Sequence, residues 1–425
     1  MLIHHIAQLV TVNGGPQRGS RLGQLSIIPH AAVVHREGKI VAVGPEEEIM
    51  AAFPDEPRFD AGGRAVVPGL VDPHTHILWA GERAAEFEMR LAGKTYLEIL
   101  AAGGGILNTV QATRRASVEQ LMAETRPRLW RAFAHGTTTI EVKTGYGLST
   151  AAEFKTLEAI LRLDEEGPWD LVPTFLAAHA VPPEFRGQPG AYTHLICDQM
   201  LPALKSWWRE HARGRPLPFV DVFCETGAFD LEQTRCILET AKALGFPLKV
   251  HADEFDNLGG AALAAHLGAA SADHLVVTSS EDIRALAASE TVAVSLPCTP
   301  FGLGEPHYTP AKAIIEADGY LAVATDCNPG TAWCESMPFA MALACRAMGL
   351  TPAQALAAAT INAAAALMRA DTIGALEPGK QADLLILETS DYRHLAYRFG
   401  TNPVAWVVKR GRFYRVEGGV KCTPR

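Results

Sequence analysis

The feature that most limits how this chain can fold is a repeated alternation of short apolar segments with amphipathic stretches. Eight β-like segments recur: Val66 to Val71, Thr137 to Val142, Leu171 to Ala178, Phe219 to Cys224, Pro247 to Ala252, Ser271 to Val277, Thr291 to Leu296 and Leu321 to Thr325. Most gaps between them carry apolar residues at helical spacing. Strand–helix units repeated in this way predict an α/β fold, a parallel (β/α)8 TIM barrel, in which each crossover helix covers the sheet and returns the chain to the same end. Several helix starts pair a hydroxyl with a carboxylate or amide three residues on, the pattern of a capping box. They are Ser117 with Gln120, Thr150 with Glu153, Thr278 with Glu281 and Thr351 with Gln354, the last with Pro352 at the first helical position.

The two ends of the chain read differently. Gln24 to Ile28, Ala31 to His35 and Lys39 to Gly44 are short strand-like runs separated by turn residues. Ala382 to Leu387, Val404 to Lys409 and Arg412 to Val416 repeat the pattern in the tail. Two such sets predict one small composite β-sandwich domain, residues 1–66 plus 370–425, around a catalytic barrel of residues 67–369. A length of 425 residues suits that division.

Composition narrows the class of function. Hydrophobic residues make up 48% and charged residues 20%, as in a globular protein with a large core. The net charge is -9 with no basic run, which argues against nucleic acid or an anionic membrane as partner. No apolar run approaches the roughly 20 residues needed to span a bilayer. Met1 to His5 has no positive region followed by an apolar stretch, so no signal peptide is expected. The eight cysteines are scattered without a Cys-x-x-Cys pair, so reduced thiols and a cytoplasmic location are expected. The prevalence of two-fold symmetry makes a homodimer the default assembly.

Chemistry in a TIM barrel sits at the C-terminal ends of the strands, so polar residues should gather there. They do. The first strand runs into His74 and His76, which at positions i and i+2 of an extended chain point to one face. The second ends in Glu141, Lys143 and Gly145-Tyr146-Gly147, the third in His179, the fourth in Cys224 and Glu225. The fifth ends in His251-Ala252-Asp253-Glu254, the sixth carries Asp273-His274, and the eighth ends in Asp326 to Thr331. The seventh offers little beyond Cys298 and Thr299. Imidazole and carboxylate donors suit zinc, iron or manganese. His74, His76, His251 and Asp326 would give a shell of three nitrogens and one oxygen, with Glu254 and His274 close to a water that such an ion activates. His135, His194, His211, His266, His307 and His394 fall on expected helices or loops and read as surface or structural residues. Arg83 comes soon after the histidine pair and either grips a substrate carboxylate or pairs with Glu82 or Glu86. Tyr146 lies in a substrate-facing loop or a plain tight turn, and Lys143 either lines the site or is solvated.

Pro68-Gly69-Leu70-Val71-Asp72-Pro73-His74-Thr75-His76, with Leu376 to Asp383 far downstream, resembles the amidohydrolase superfamily. His76 to Arg83 with Glu86-Phe87, Glu141 to Leu148, Ala178 to Pro182, Val250 to Glu254 and Thr325 to Thr331 resemble its imidazolonepropionase family. The resemblance implies a cyclic amidohydrolase of histidine breakdown. Its small anionic substrate would be 4-imidazolone-5-propanoate, opened at the ring carbon–nitrogen bond to N-formimidoyl-glutamate. It also implies zinc or iron on His74, His76, His251 and Asp326, and Arg83 on the propionate. Tyr146, His179 and Glu254 would contact the ring, and Asn328, Gly330 and Thr331 the substrate or product. In the mechanism expected on that basis, Asp326 and the metal hold and deprotonate water, and His274 positions that water or Asp326. Glu254 serves the leaving nitrogen and His179 steadies the oxyanion. Many members hold two metals with a bridging lysine on the fourth strand. Here Cys224 and Glu225 stand at that end and Lys143 lies two strands earlier, so one metal is expected, with a second ion at Glu225 as the alternative.

Overall fold

The protein is described from a computed structural model covering residues 1–94, 98, 104–419 and 421–424. Eight strands pair side by side in chain order, all parallel: β5 (Leu70–Asp72), β6 (Thr137–Lys143), β7 (Asp170–Ala178), β8 (Phe219–Cys224), β9 (Leu248–Ala252), β10 (Ser271–His274), β11 (Val292–Ser295) and β12 (Leu321–Val323). Side chains rather than a long ladder close the ring between β12 and β5. The Thr325 backbone N–H (3.1 Å) and hydroxyl (2.5 Å) both donate to Asp72, and Thr75 bridges in parallel to Cys327. The expected barrel is therefore present, with helices between successive strands.

The segment expected as a first strand over 66–71 belongs to two sheets. Val66 and Val67 lie in β4 (Arg58–Pro68) of the composite sheet, and the barrel strand begins at Leu70. Gly69 is the junction: its N–H donates to the Asp383 carbonyl at 3.0 Å, and a Cβ there would strike the side chain of Thr138. The sixth strand, expected to reach Val277, stops at His274. His274 and Leu275 both take positive φ, which a strand cannot continue through.

The terminal segments join β4 in a second sheet. They are β1 (Leu2–Val10), β2 (Ile27–Arg36), β3 (Lys39–Pro45), β13 (Leu384–Leu387), β14 (Val404–Lys409), β15 (Arg412–Glu417) and β16 (Lys421–Pro424). The strand order is β16-β15-β14-β13-β4-β1-β2-β3. β1 escapes a sequence reading because its register slips between Ile3 and Ile6, with His5 at φ 56, and the slip breaks the alternation. The sheet curls so that β15 packs across it against β4 and β2. Phe413 on β15 packs 4.5 Å from Phe59 on β4 and 6.0 Å from His35 on β2, enclosing Ile3, Ile6, Ile40, Leu384 and Val408. The opposite face places Val10, Val67, Leu385 and Val407 in the same apolar cluster as the barrel helices. Among the described residues no helix is long and apolar enough to cross a membrane.

Helix starts follow the expected chemistry unevenly. Thr351 and Gln354 make the full capping box, and so do Asp230 and Gln233, where a carboxylate takes the place of the hydroxyl. Ser117 caps Gln120 without the reciprocal bond. Ser279, not Thr278, caps the helix Ser280–Ala287. Glu153 forms no box with Thr150. It turns inward and accepts the backbone N–H groups of Gly145, Gly147 and Leu148, folding the loop that carries Tyr146.

Candidate active site

The histidine pair extends β5 past its last ladder residue. Lys143 N donates to the Thr75 carbonyl on one side, and His76 N to the Cys327 carbonyl on the other, so residues 74–76 stay extended between two neighbours. The rings of His74 and His76 consequently share a face, 5.3 Å apart. Arg128 fixes residues 77–79 beyond them: its guanidinium lies 3.5 Å from the Trp79 ring and donates to the carbonyls of Ile77 and Trp79.

From across the barrel mouth, His251 at the end of β9 brings its Nε2 to 3.2 Å from His76 Nε2. Asp326 Oδ1 stands 3.6 Å from both His74 Nε2 and His76 Nε2. Oδ2 of the same carboxylate accepts from the Thr299 hydroxyl. His74 Nε2 and Asp326 Oδ1 are buried without a hydrogen-bond partner among the described residues. Burial holds His74 and His76 well below the usual imidazole range, hence neutral, with neighbouring charges such as Lys143 and His179 adding to the effect. Two imidazole nitrogens facing each other, beside an orphaned nitrogen and an orphaned carboxylate oxygen, make a poor hydrogen-bonding group and a good cation cage. Nitrogens bound at about 2.0–2.1 Å by one tetrahedral ion sit roughly 3.3 Å apart, close to the spacing found. The donor set therefore fits one metal ion. His274 also offers a nitrogen within 4.8 Å of those of His74 and His251.

Around this cage the other expected residues divide. Glu254 is nine-tenths buried, with Oε2 3.6 Å from His274 Nε2. Burial, then the Asp326 and Glu225 charges, push its carboxyl well above the usual range. Burial raises Asp326 to about 6. His179 stacks on His76 at 4.8 Å and points Nδ1 at the Gly145 carbonyl, 3.1 Å away. Tyr146 is buried, 5.4 Å from the His179 ring, and desolvation keeps its phenol protonated. Arg83 makes the salt bridge that was one of its two expected roles: Nε (2.8 Å) and Nη2 (2.7 Å) both reach Glu86 Oε2, leaving Nη1 against Gly330. Asn328 spends its amide on its own loop, accepting from Gly330 N and Thr331 N at 2.8 Å and donating to the Asp326 carbonyl at 2.7 Å. Thr331 shares that network through its hydroxyl. Glu225 faces away from the cage. It accepts the backbone N–H groups of Thr226, Phe255 and Asp256 at 2.9–3.1 Å and shapes the loop just beyond Glu254. Lys143 is neither solvated nor at the cage rim but fully buried beneath it.

Beneath the cage lie Asp273, which the sixth strand carries, and Asp221, which strand-end reasoning does not reach. Asp221 Oδ2 is 2.9 Å from His251 Nδ1, and Asp273 Oδ2 is 2.6 Å from His74 Nδ1. Their signal in the sequence is charge inside a strand: a parallel strand buried on both faces reads as continuously apolar, yet β8 carries Asp221 and β9 carries Lys249.

Comparison with known proteins identifies the family and the fold. The amidohydrolase family model matches residues 65–413, and a model of the bacterial imidazolonepropionase-like composite domain matches residues 31–55. Imidazolonepropionase of Herpetosiphon aurantiacus is 54% identical over 97% of both chains. That of Symbiobacterium thermophilum is 50% identical over 99% of this chain and 98% of its own. Among solved structures, a zinc-bound adenosine deaminase from Xanthomonas campestris superposes with a TM-score of 0.71 at 20% identity, covering 99% of this chain and 93% of its own. Guanine deaminase of E. coli reaches 0.71 at 17% identity, covering 98% of this chain and all of its own. With half its residues shared end to end with such relatives, the chain belongs to the imidazolonepropionase family of the amidohydrolases.

Proposed function

We propose that this chain hydrolyses 4-imidazolone-5-propanoate to N-formimidoyl-L-glutamate in histidine degradation, using water activated by one zinc or iron ion. The observation that carries the chemistry is the convergence of His76 Nε2, His251 Nε2, His74 Nε2 and Asp326 Oδ1 in one buried cluster. These four residues would hold the ion, and a cation there supplies the Lewis acidity that brings a water's pKa down to about 7.

The chain's own groups do the rest. Asp326, steadied at Oδ2 by Thr299, keeps Oδ1 towards the cage and takes a proton from the attacking water. Glu254 is held protonated by burial and gives its proton to the ring nitrogen as the carbon–nitrogen bond breaks. His274, 3.6 Å from Glu254, orients that carboxyl and the water. The role expected of His179, steadying the oxyanion, needs a donor. Its Nδ1 already donates to Gly145 O and burial lowers its pKa to about 3, so its Nε2 is an acceptor suited to a ring N–H. The protonated Tyr146 hydroxyl is the better donor to the substrate. Arg83, oriented by Glu86 on one edge, offers its Nη1 edge to the propionate carboxylate. A deaminase acting on a neutral base has no use for that arginine. Asn328, Gly330 and Thr331 shape the loop against which substrate and product rest. We place the enzyme in the cytoplasm as a homodimer, with the composite β domain at 1–66 and 370–425 supporting the barrel.

The test supplies imidazolone propionate to protein loaded with zinc or iron and monitors loss of the substrate's ultraviolet absorbance. Turnover that a chelator abolishes and metal restores is expected. Metal-replete protein that leaves the substrate intact sinks the assignment.

A further inference from the structure

Two lysines lie under the cage where the reaction has no use for them. Lys143 and Lys249 are both 0% exposed, among Glu141, Asp221 and Asp273, which are equally buried. Lys143 Nζ reaches Asp221 Oδ2 at 2.7 Å, Glu141 Oε1 at 3.0 Å and Asp273 Oδ2 at 3.6 Å. Lys249 Nζ donates to the Pro73 carbonyl at 2.7 Å and reaches Glu141 Oε2 at 3.0 Å and Asp273 Oδ2 at 3.9 Å. Thr174 donates to Glu141 as well. Five ionisable side chains from β6, β8, β9 and β10 thus form one layer. Its upper carboxylates, Asp221 and Asp273, face the Nδ1 atoms of His251 and His74.

That geometry assigns the layer a task. An imidazole offers Nε2 to a metal only when Nδ1 carries the proton and an acceptor fixes the ring's rotation. Asp273 is that acceptor for His74, and Asp221 lies 2.9 Å from the Nδ1 of His251. The two lysines fix the direction of these carboxylates by contact, Lys143 reaching both and Lys249 reaching Asp273. Lys249 also pins the peptide just before His74.

We propose that Lys143 and Lys249 are positioning residues that act as fixed cations beneath the metal site, setting its affinity through Asp221 and Asp273 and limiting it to one ion. The limit to one ion rests on the same contacts. His74, Glu141 and Asp273 offer ligand atoms within 4.8 Å of one another, a grouping that would suit a further cation, but the two ammonium groups already neutralise it. The proposal rests on the metal site described above.

The test measures cobalt(II) binding to the full chain by chelator competition, together with the visible spectrum, which reports ligand geometry whether or not the protein turns over. The wild type is expected to take up one equivalent. Lys143→Met should loosen binding by about 10–100-fold and shift the visible bands. Asp221→Asn should weaken binding similarly, and the double variant should fall short of the product of the two single effects, because the lysine acts in part through that carboxylate. A folded Lys143→Met protein with unchanged affinity and spectrum overturns the proposal, as do effects that multiply in the double variant. If Lys143→Met does not fold, Lys249→Met reads the same layer through Pro73, and unchanged affinity there also overturns it. A wild type that binds no cobalt is a different result and defeats the metal-dependent reading itself.

Discussion

At the scale of single residues, the site is governed by what burial does to proton affinity. Glu254 and Asp326 belong to one mouth, yet burial pushes Glu254 well above the carboxylate range and leaves Asp326 at about 6. The difference separates an acid from a base near neutral pH. Glu254→Gln is expected to keep the metal and lose roughly 10²–10⁴ in kcat, checked by metal analysis beside steady-state rates. An unaffected rate removes Glu254 from the chemistry. For Arg83 the measure is kcat/KM. Removing a hydrogen bond to a charged group costs about 1.5–3 kcal/mol, so Arg83→Gln should lose roughly 10–150-fold. Gly330→Ala should harm the same parameter without touching a charge, because the new Cβ collides with the Arg83 guanidinium. The residue types at the strand ends were legible in the sequence because imidazole, carboxylate and guanidinium carry their chemistry in their names. Their protonation states were not, since those come from desolvation by groups far away in the chain.

At the scale of elements, loops are tied to the barrel by carboxylates that accept backbone N–H groups. Glu153 folds residues 145–148 and Glu225 folds residues 255–256. By sequence alone both suit other tasks, one in a capping box and the other at a second metal. A lone carboxylate gives no sign in sequence of whether it will face a helix end, a cation or a loop. Glu225→Gln should leave metal content at one ion per chain and lower kcat by about 10–100-fold, because an amide nitrogen cannot accept from Phe255 N and the loop carrying Glu254 shifts. Loss of metal in that variant would instead place Glu225 in the coordination shell. Strand identities were legible for a related reason: buried parallel strands are short, apolar and β-branched, as Val292–Ser295 shows. Their ends were less so, because His274 and Gly69 stop strands through backbone conformation and close approach.

At the scale of the molecule, Asp170 at the foot of β7 joins the barrel to the composite domain. It pairs with Lys409 at 3.0 Å, Arg369 at 3.1 Å and Arg410, and accepts from Gln381 at 3.1 Å. Burial alone would raise its pKa, but the cations outweigh that and lower it to about 2. A folded-state pKa below the unfolded value means the stabilisation is complete above about pH 4 and fades as pH falls towards 2. The shift corresponds to about 2 kcal/mol. Asp170→Asn should therefore lower Tm at pH 7, with the gap to wild type narrowing between pH 4 and pH 2 in thermal melts. A gap that stays constant across that range would show that the carboxylate's charge is not what joins the domains.

The sequence by itself determined the barrel, the composite domain and the four donors at its mouth, because periodicity and residue chemistry are local properties that survive without coordinates. Only the tertiary structure decided which nitrogen of each histidine is free, which carboxylates face lysines and which face loops, and which arginine edge Glu86 leaves open. Those depend on distances between strands dozens of residues apart, and on the low dielectric that their packing creates.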